Sequence, residues 1–214
     1  MNRSIFVLIL GFALLFSACD SRKKVIIETE YGNMTAVLYD ETPGHRDNFI
    51  KLANEGFYDD LLFHRVIPGF MIQGGDPDSK GAAPGQRLGM GGPGYTIPAE
   101  FVDQHVHLKG ALSAARTSDT MNPEKESSGS QFYVVQGRPV PAAQLDSPMF
   151  ASKNYTDEQK QAYQQIGGTP QLDRDYTVFG MVIEGLDVID KIAAVQKDGN
   201  NRPVQDVKMK VSVK

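Results

Sequence analysis

Tryptophan is absent from the 214 residues and cysteine occurs once, at Cys19. One cysteine excludes a disulfide within the chain, so the fold must rest on its apolar core. An excess of positive charge is also lacking. Lys and Arg number 22 against 26 Asp and Glu, the formal charge is −4, and no basic stripe appears along the chain. That balance argues against nucleic acid as a partner, because phosphate binding leaves a basic patch. The apolar run Ile5 to Phe16 is about 12 residues long, short of the roughly 20 that cross a bilayer. What the chain does have is glycine (21) and proline (12), a balance that favours a turn-rich β protein over a helical bundle. An apolar content of 41% suffices for one core, and the length fits one domain with an appendage.

The N-terminus reads as a targeting segment. Arg3 supplies a small positive region, the apolar run follows, and small residues precede Cys19 in Phe16-Ser17-Ala18-Cys19. This end resembles a bacterial lipobox, with Phe16 where that box usually has leucine. The expectation is a signal peptide over 1–18, lipidation of Cys19, and a tether over 19–24 holding the domain at a membrane of the bacterial cell envelope. Cleavage would remove Arg3 and take the formal charge from −4 to −5.

Downstream, Val25–Thr29 and Met34–Tyr39 read as strands about a turn at Glu30-Tyr31-Gly32-Asn33. Thr42-Pro43 starts a helix with Phe49, Leu52 and Ala53 on its apolar face, and Gly56 ends it. Residues 74–94 read as loop. Leu108–Ala115, Gln131–Gln136, Tyr176–Ile183 and Val207–Val213 read as further strands, Thr117–Ser130 as a surface loop, and 185–194 as a helix with Leu186, Val188, Ile189, Ile192 and Ala193 on one face. Strands without a strand–helix rhythm make an antiparallel, mainly β architecture. Within 138–170, Thr156 and Gln159 form a capping-box pattern opening a helix whose apolar side is Ala162, Tyr163 and Ile166.

The most specific stretch is Phe63-His64-Arg65-Val66-Ile67-Pro68-Gly69-Phe70-Met71-Ile72-Gln73-Gly74-Gly75-Asp76-Pro77. It reads as strand, Pro-Gly turn and strand. Arg65 and Gln73 stand out among apolar neighbours. Two explanations of Arg65 compete: a fork of donors gripping the carbonyls of an apolar ligand, or an arginine paired to a carboxylate in a buried hairpin.

With Gly110–Arg116, Ser128-Gly129-Ser130-Gln131-Phe132-Tyr133-Val134 and Leu172–Gly180, this stretch closely resembles the cyclophilins, a family of peptidyl-prolyl cis-trans isomerases. The resemblance covers about Val25 to Lys214 apart from an insertion over 138–170. It implies a closed eight-stranded antiparallel β-barrel capped by two helices, plus a small helical insertion. It implies rotation about X-Pro bonds in the folding of exported proteins, with Arg65 as the catalytic group. Phe70, Met71, Phe132 and Leu172 would line the proline pocket, with Tyr133 as its floor. Gln73, supported by Gln131, would bond the substrate backbone. Ala115 and the main chain of Arg116 would bind the residue before proline. Tyr176 stands where animal members carry histidine, and its hydroxyl can still donate. Arg116 stands where many members have asparagine, which implies a shifted substrate preference. Gln171 replaces a tryptophan important for cyclosporin affinity, so cyclosporin binding is expected to be weak. The reaction exchanges no covalent bond, so no metal or cofactor is expected, and the expected state is a monomer. The alternatives are a non-catalytic scaffold for proline segments and an envelope assembly factor working through the insertion.

Other patterns carry less. Gly89-Met90-Gly91-Gly92-Pro93-Gly94 fits G-x-G-x-x-G, but a dinucleotide site needs a helix to follow, and Tyr95-Thr96-Ile97-Pro98 does not start one. His105 and His107 could share a strand face, yet no third metal ligand is apparent. Alternation turns His64 away from Arg65. Ser113 and Ser130 have no base partner. The insertion reads either as a lid over the groove or as a packed ornament, and the ornament is favoured.

Overall fold

Alternation of buried and partly exposed positions sets the architecture from the first strand. In the computed structural model, which describes residues 22–214, β1 (Lys24–Thr29) buries Val25 and Ile27 and pairs in a hairpin with β2 (Gly32–Leu38). The expected signal segment and Cys19 lie outside the described residues. Among the described residues, no helix is long and apolar enough to cross a membrane.

Helix α1 (Pro43–Asn54) begins as the sequence indicates, with Thr42 at its cap and Pro43 in its first turn. Short strands β3 (Leu61–Leu62) and β4 (Arg65–Ile67) follow, then β5 (Met71–Gly74). Gly69, at φ 75°, supplies the left-handed residue that the Pro68-Gly69 turn between β4 and β5 requires. The remaining strands are β6 (Thr96–Ile97), β7 (Ala111–Ala114), β8 (Ser127–Ser128), β9 (Phe132–Val135), β10 (Val178–Glu184) and β11 (Lys208–Val213). Helices α2 (Ala142–Leu145) and α3 (Asp157–Ile166) lie in the insertion, and α4 (Leu186–Ala193) follows β10. The capping box of α3 is complete: the Thr156 hydroxyl accepts from the Gln159 amide and the Gln159 side chain accepts from the Thr156 amide.

Nine strands form one strongly curled antiparallel sheet in the order β3-β11-β1-β2-β10-β7-β9-β5-β4. The expectation of eight strands closed into a barrel is corrected in one respect. The sheet is not closed by a ladder; its two edge strands, β3 and β4, are consecutive in the chain, with only Phe63 and His64 between them. The strand expected from Phe63 begins at Arg65, as β4 bonding β5, and the preceding Leu61–Leu62 bonds β11 as β3. A separate two-stranded sheet, β6 with β8, holds part of what reads as a surface loop.

The inner face of the curl is one core. Phe49, Leu52 and Ala53 of α1 and Val188, Ile189, Ile192 and Ala193 of α4 pack into it with Val66, Ile72, Leu112, Phe132 and Val134 of the sheet. Two expected face residues lie outside: Leu186 is 39% exposed and Ile166 is 50% exposed. Each sits at the end of its helix, where the turn carries it off the buried side.

His64, 4% exposed, lies at the break between β3 and β4. Burial pushes its pKa down to about 4 from 6.5, with the Asp76 charge opposing. Between those values the unfolded chain takes up a proton that the folded chain refuses, so stability falls as pH drops through this window. The shift corresponds to about 3 kcal/mol across the window. His64→Gln is therefore expected to flatten the acid limb of a denaturant-unfolding series relative to wild type. His45 and His105, whose pKa values are also lowered by burial, add to the same slope in both proteins. An identical slope in the variant contradicts this account.

Candidate functional site

The outer face of the same sheet carries the candidate site. On β4, β5, β7 and β9 every second residue points away from the core, so Ile67, Met71, Ala111, Tyr133 and Val135 form a second apolar cluster with Phe70, Ala115, Leu172 and Tyr176. A cavity of about 100 Å³ opens there, lined by Arg65, Phe70, Met71, Gln73, Ala115, Arg116, Tyr133, Leu172 and Tyr176. Residues scattered from 65 to 176 thus meet at one place. Small Ala115 leaves room where a larger side chain would fill the groove.

One residue expected in this wall is not there. Phe132 lies on the inner face, 1% exposed, with its ring edge-on to Phe49, Tyr58 and Phe63. Tyr133, its neighbour on the strand, takes the cavity position. Adjacent strand residues cannot share a face, so one of this aromatic pair had to turn inward.

Arg65 and Gln73 are cross-strand partners and share the outer face. Arg65 Nη1 donates to Gln73 Oε1 at 3.1 Å, Gln73 Nε2 donates to Gln131 Oε1 at 3.1 Å, and Gln131 Nε2 donates to the Gly91 carbonyl at 2.7 Å. The relay runs in one direction and fixes both amides. Among the described residues no carboxylate pairs with Arg65, which rules out the carboxylate explanation. Partial burial lowers its pKa, and the guanidinium is held charged and short of partners, with most of its five donors free for a ligand.

Arg116 is spent differently. Its guanidinium lies 4.4 Å over the Tyr176 ring, donates to the Asp175 carbonyl (2.7 Å) and the Thr117 carbonyl (3.0 Å), and pairs with Asp119 at 2.6 Å. Its side chain therefore welds two loops together, and only its main chain is left to face a ligand. Tyr176 in turn meets the Tyr133 ring edge-on.

A larger cavity of about 610 Å³ adjoins the first and shares Gln73, Ala115 and Arg116 with it. Gly89, Gly91, Gly92 and Gly94 line it. Strand β6, and no helix, follows them, so these glycines border a groove rather than cradle a dinucleotide. His105 and His107 part company: His105 stacks on Tyr39 and pairs with Glu41, whereas His107 is buried against Asp173 and Tyr133. No residue of 138–170 lines either cavity, which favours the packed ornament over the lid. Asp173, which no sequence motif singles out, joins His107 to the hydroxyls of Tyr155 and Tyr163 behind the cavity.

Comparison with known proteins adds relatives to this geometry. The family described as "Cyclophilin type peptidyl-prolyl cis-trans isomerase/CLD" matches residues 24–213. A "Putative peptidyl-prolyl cis-trans isomerase" of Staphylococcus epidermidis is 38% identical over 192 residues, covering 88% of this chain and 89% of that protein. A "Putative bifunctional phosphatase/peptidyl-prolyl cis-trans isomerase" of Streptococcus pyogenes is 40% identical over 190 residues; the match covers 86% of this chain and only 37% of that longer protein. Among solved structures, a cyclophilin-type isomerase of Cryptosporidium parvum matches with a TM-score of 0.64 at 23% identity, covering 90% of this chain and 98% of that one. A second structure of that protein, obtained in the presence of the dipeptide Ala-Pro, matches with a TM-score of 0.63 at 24% identity. At such identity these two structures speak to the fold alone.

The two-faced geometry separates stability from ligand contact. Phe132→Leu is expected to lower unfolding free energy by about 1–3 kcal/mol while leaving the affinity for a short proline peptide within about twofold. Leu172→Ala is expected to weaken the peptide instead. A Phe132→Leu variant of normal stability that loses the peptide would return Phe132 to the cavity wall.

Proposed function

Because the chain belongs to the cyclophilin-type peptidyl-prolyl cis-trans isomerase family, we propose that its outer-face cavity seats a proline ring while Arg65 catalyses rotation of the preceding peptide bond. The observation that carries this reading is the half-buried Arg65 guanidinium. It has no carboxylate partner among the described residues and sits at an apolar cavity next to Gln73.

The barrier to X-Pro rotation is about 18–20 kcal/mol and arises from amide resonance. At the top of the barrier the prolyl nitrogen is no longer conjugated, and its lone pair can accept a hydrogen bond. An Arg65 N–H placed there stabilises the twisted amide more than either planar isomer, which is the condition for catalysis. Its position is set in advance by the amide relay, so little reorganisation is needed. Met71, Tyr133 and Leu172 hold the ring, Gln73 bonds the flanking backbone, and Ala115 with the Arg116 main chain receives the residue before proline. No electrons or groups are exchanged, and the side chains only bind and orient. Gln171 is exposed and outside the cavity wall, in keeping with weak cyclosporin binding.

The same reading includes a lipid anchor at Cys19 that holds the protein, as a monomer acting on exported polypeptides, at a membrane of the bacterial cell envelope. The support for the anchor is the apolar run Ile5 to Phe16 followed by Ser17-Ala18-Cys19.

In a peptide assay the wild-type chain is expected to accelerate X-Pro isomerisation. Arg65→Ala should lose about 10- to 150-fold in kcat/KM, the worth of one charge-assisted hydrogen bond of roughly 1.5–3 kcal/mol. Equal rates for the two proteins would reject the role of Arg65, and a wild-type rate at background would favour a binding scaffold. Mass spectrometry of the envelope-purified protein should give an acylated N-terminus at Cys19. An unmodified Cys19 would reject the anchor.

A further inference from the structure

We propose that the 138–170 insertion is a positioning element for the proline cavity, acting through the buried carboxylate of Asp173. The inference rests on the reading of that cavity as the isomerase site. Its test keeps the two separable.

Asp173 is 2% exposed, and a carboxylate so buried must be met by donors. It has four. Oδ1 accepts from the His107 backbone amide and from His107 Nδ1, both at 2.7 Å. Oδ2 accepts from the Tyr155 and Tyr163 hydroxyls, both at 2.6 Å. Both tyrosines belong to the insertion, so one carboxylate oxygen depends on it wholly. Burial, reinforced by the Asp173 charge, raises both phenols far above the ordinary tyrosine range and keeps them as donors.

From this carboxylate two routes lead to the cavity. The first passes through His107, whose Nε2 lies 2.9 Å from the Tyr133 hydroxyl. Nδ1 must donate to the acceptor-only carboxylate, so the ring cannot flip without breaking both contacts. The Tyr133 ring lines the cavity while its hydroxyl is tethered behind it. The second route is the backbone. Asp173 sits between Leu172 and Tyr176, and both line the cavity.

The insertion grips that backbone at further points. Lys153 donates to the Asp173 carbonyl and pairs with Asp175 at 2.8 Å. Arg174 holds a left-handed φ of 61°, a costly conformation for a side-chain-bearing residue, and its guanidinium bonds the Ser152 carbonyl at 2.9 Å and Asp103 at 3.0 Å. Packing alone does not require this arrangement. Val140, Leu145, Phe150 and Tyr163 already give the insertion its own apolar cluster with Val106. A buried charge adds directionality that apolar contact lacks, and here it is aimed at two walls of the cavity.

The test is the full chain carrying Tyr155→Phe and Tyr163→Phe together, which removes two hydroxyls and leaves both rings packed. Peptide isomerisation kinetics are measured together with amide hydrogen exchange. The expected result is a loss of about tenfold in kcat/KM, seen mainly as a higher KM because the walls hold the ring in ground and transition states alike. Faster exchange at Leu172–Tyr176, with α3 exchange unchanged, is expected alongside it. If the double variant fails to fold, Tyr155→Phe alone should show the same pattern at smaller amplitude. Unchanged KM and unchanged exchange at 172–176, with only a lower melting temperature, would overturn the proposal. A wild-type chain without isomerase activity would overturn the function reading alone, and the exchange comparison would still decide the positioning.

Discussion

Alternation across a curled sheet is the constraint on which everything else depends. Each of β4, β5, β7 and β9 sends one set of side chains into the sealed core and the other set to the outer face. The inner set can be large because the curl encloses it with α1 and α4. The outer set mixes small Ala111 and Ala115 with large Met71 and Tyr133, and that mixture leaves a groove. A slip of one residue in any ladder would exchange the two sets, emptying the core and filling the groove together. Stability and ligand contact are therefore coupled through register and separated by face.

Electrostatics follow from the same division. Arg46, Arg116, Arg174 and Arg202 each pair with a carboxylate. Arg65 instead meets a neutral amide, which aligns it without neutralising it. Behind the groove the logic is reversed. The negative charge of Asp173 is saturated with donors, and it stiffens the wall that the free cation faces. The β-sheet supplies the first wall and the insertion braces the second.

The local features were legible in the sequence because they are local. Pro68-Gly69 marks its own turn, Thr42-Pro43 and Thr156 with Gln159 mark their own helix starts, and Arg65 stands out in an apolar hairpin. The face of an aromatic pair was not legible. Phe132 and Tyr133 are both apolar enough for either side, and only the register of β9 between β5 and β7 decides which turns inward. The short strand Leu61–Leu62 was hidden for a similar reason, since two residues carry no period and only their pairing with β11 makes them strand. The Asp173 hub draws on residues 66, 18 and 10 positions away, too scattered for any motif to reveal. The hints were a tyrosine just before the insertion helix, a second on that helix's apolar side, and an acidic residue next to Leu172.

The central claim is that an X-Pro bond lies against Arg65 on the outer face. A crystal structure of the chain with a short Xaa-Pro peptide tests it most directly. The account predicts the proline ring against Met71, Tyr133 and Leu172, with an Arg65 N–H within about 3 Å of the prolyl amide. A peptide seated elsewhere, or an Arg65 turned away from it onto a carboxylate, would contradict it.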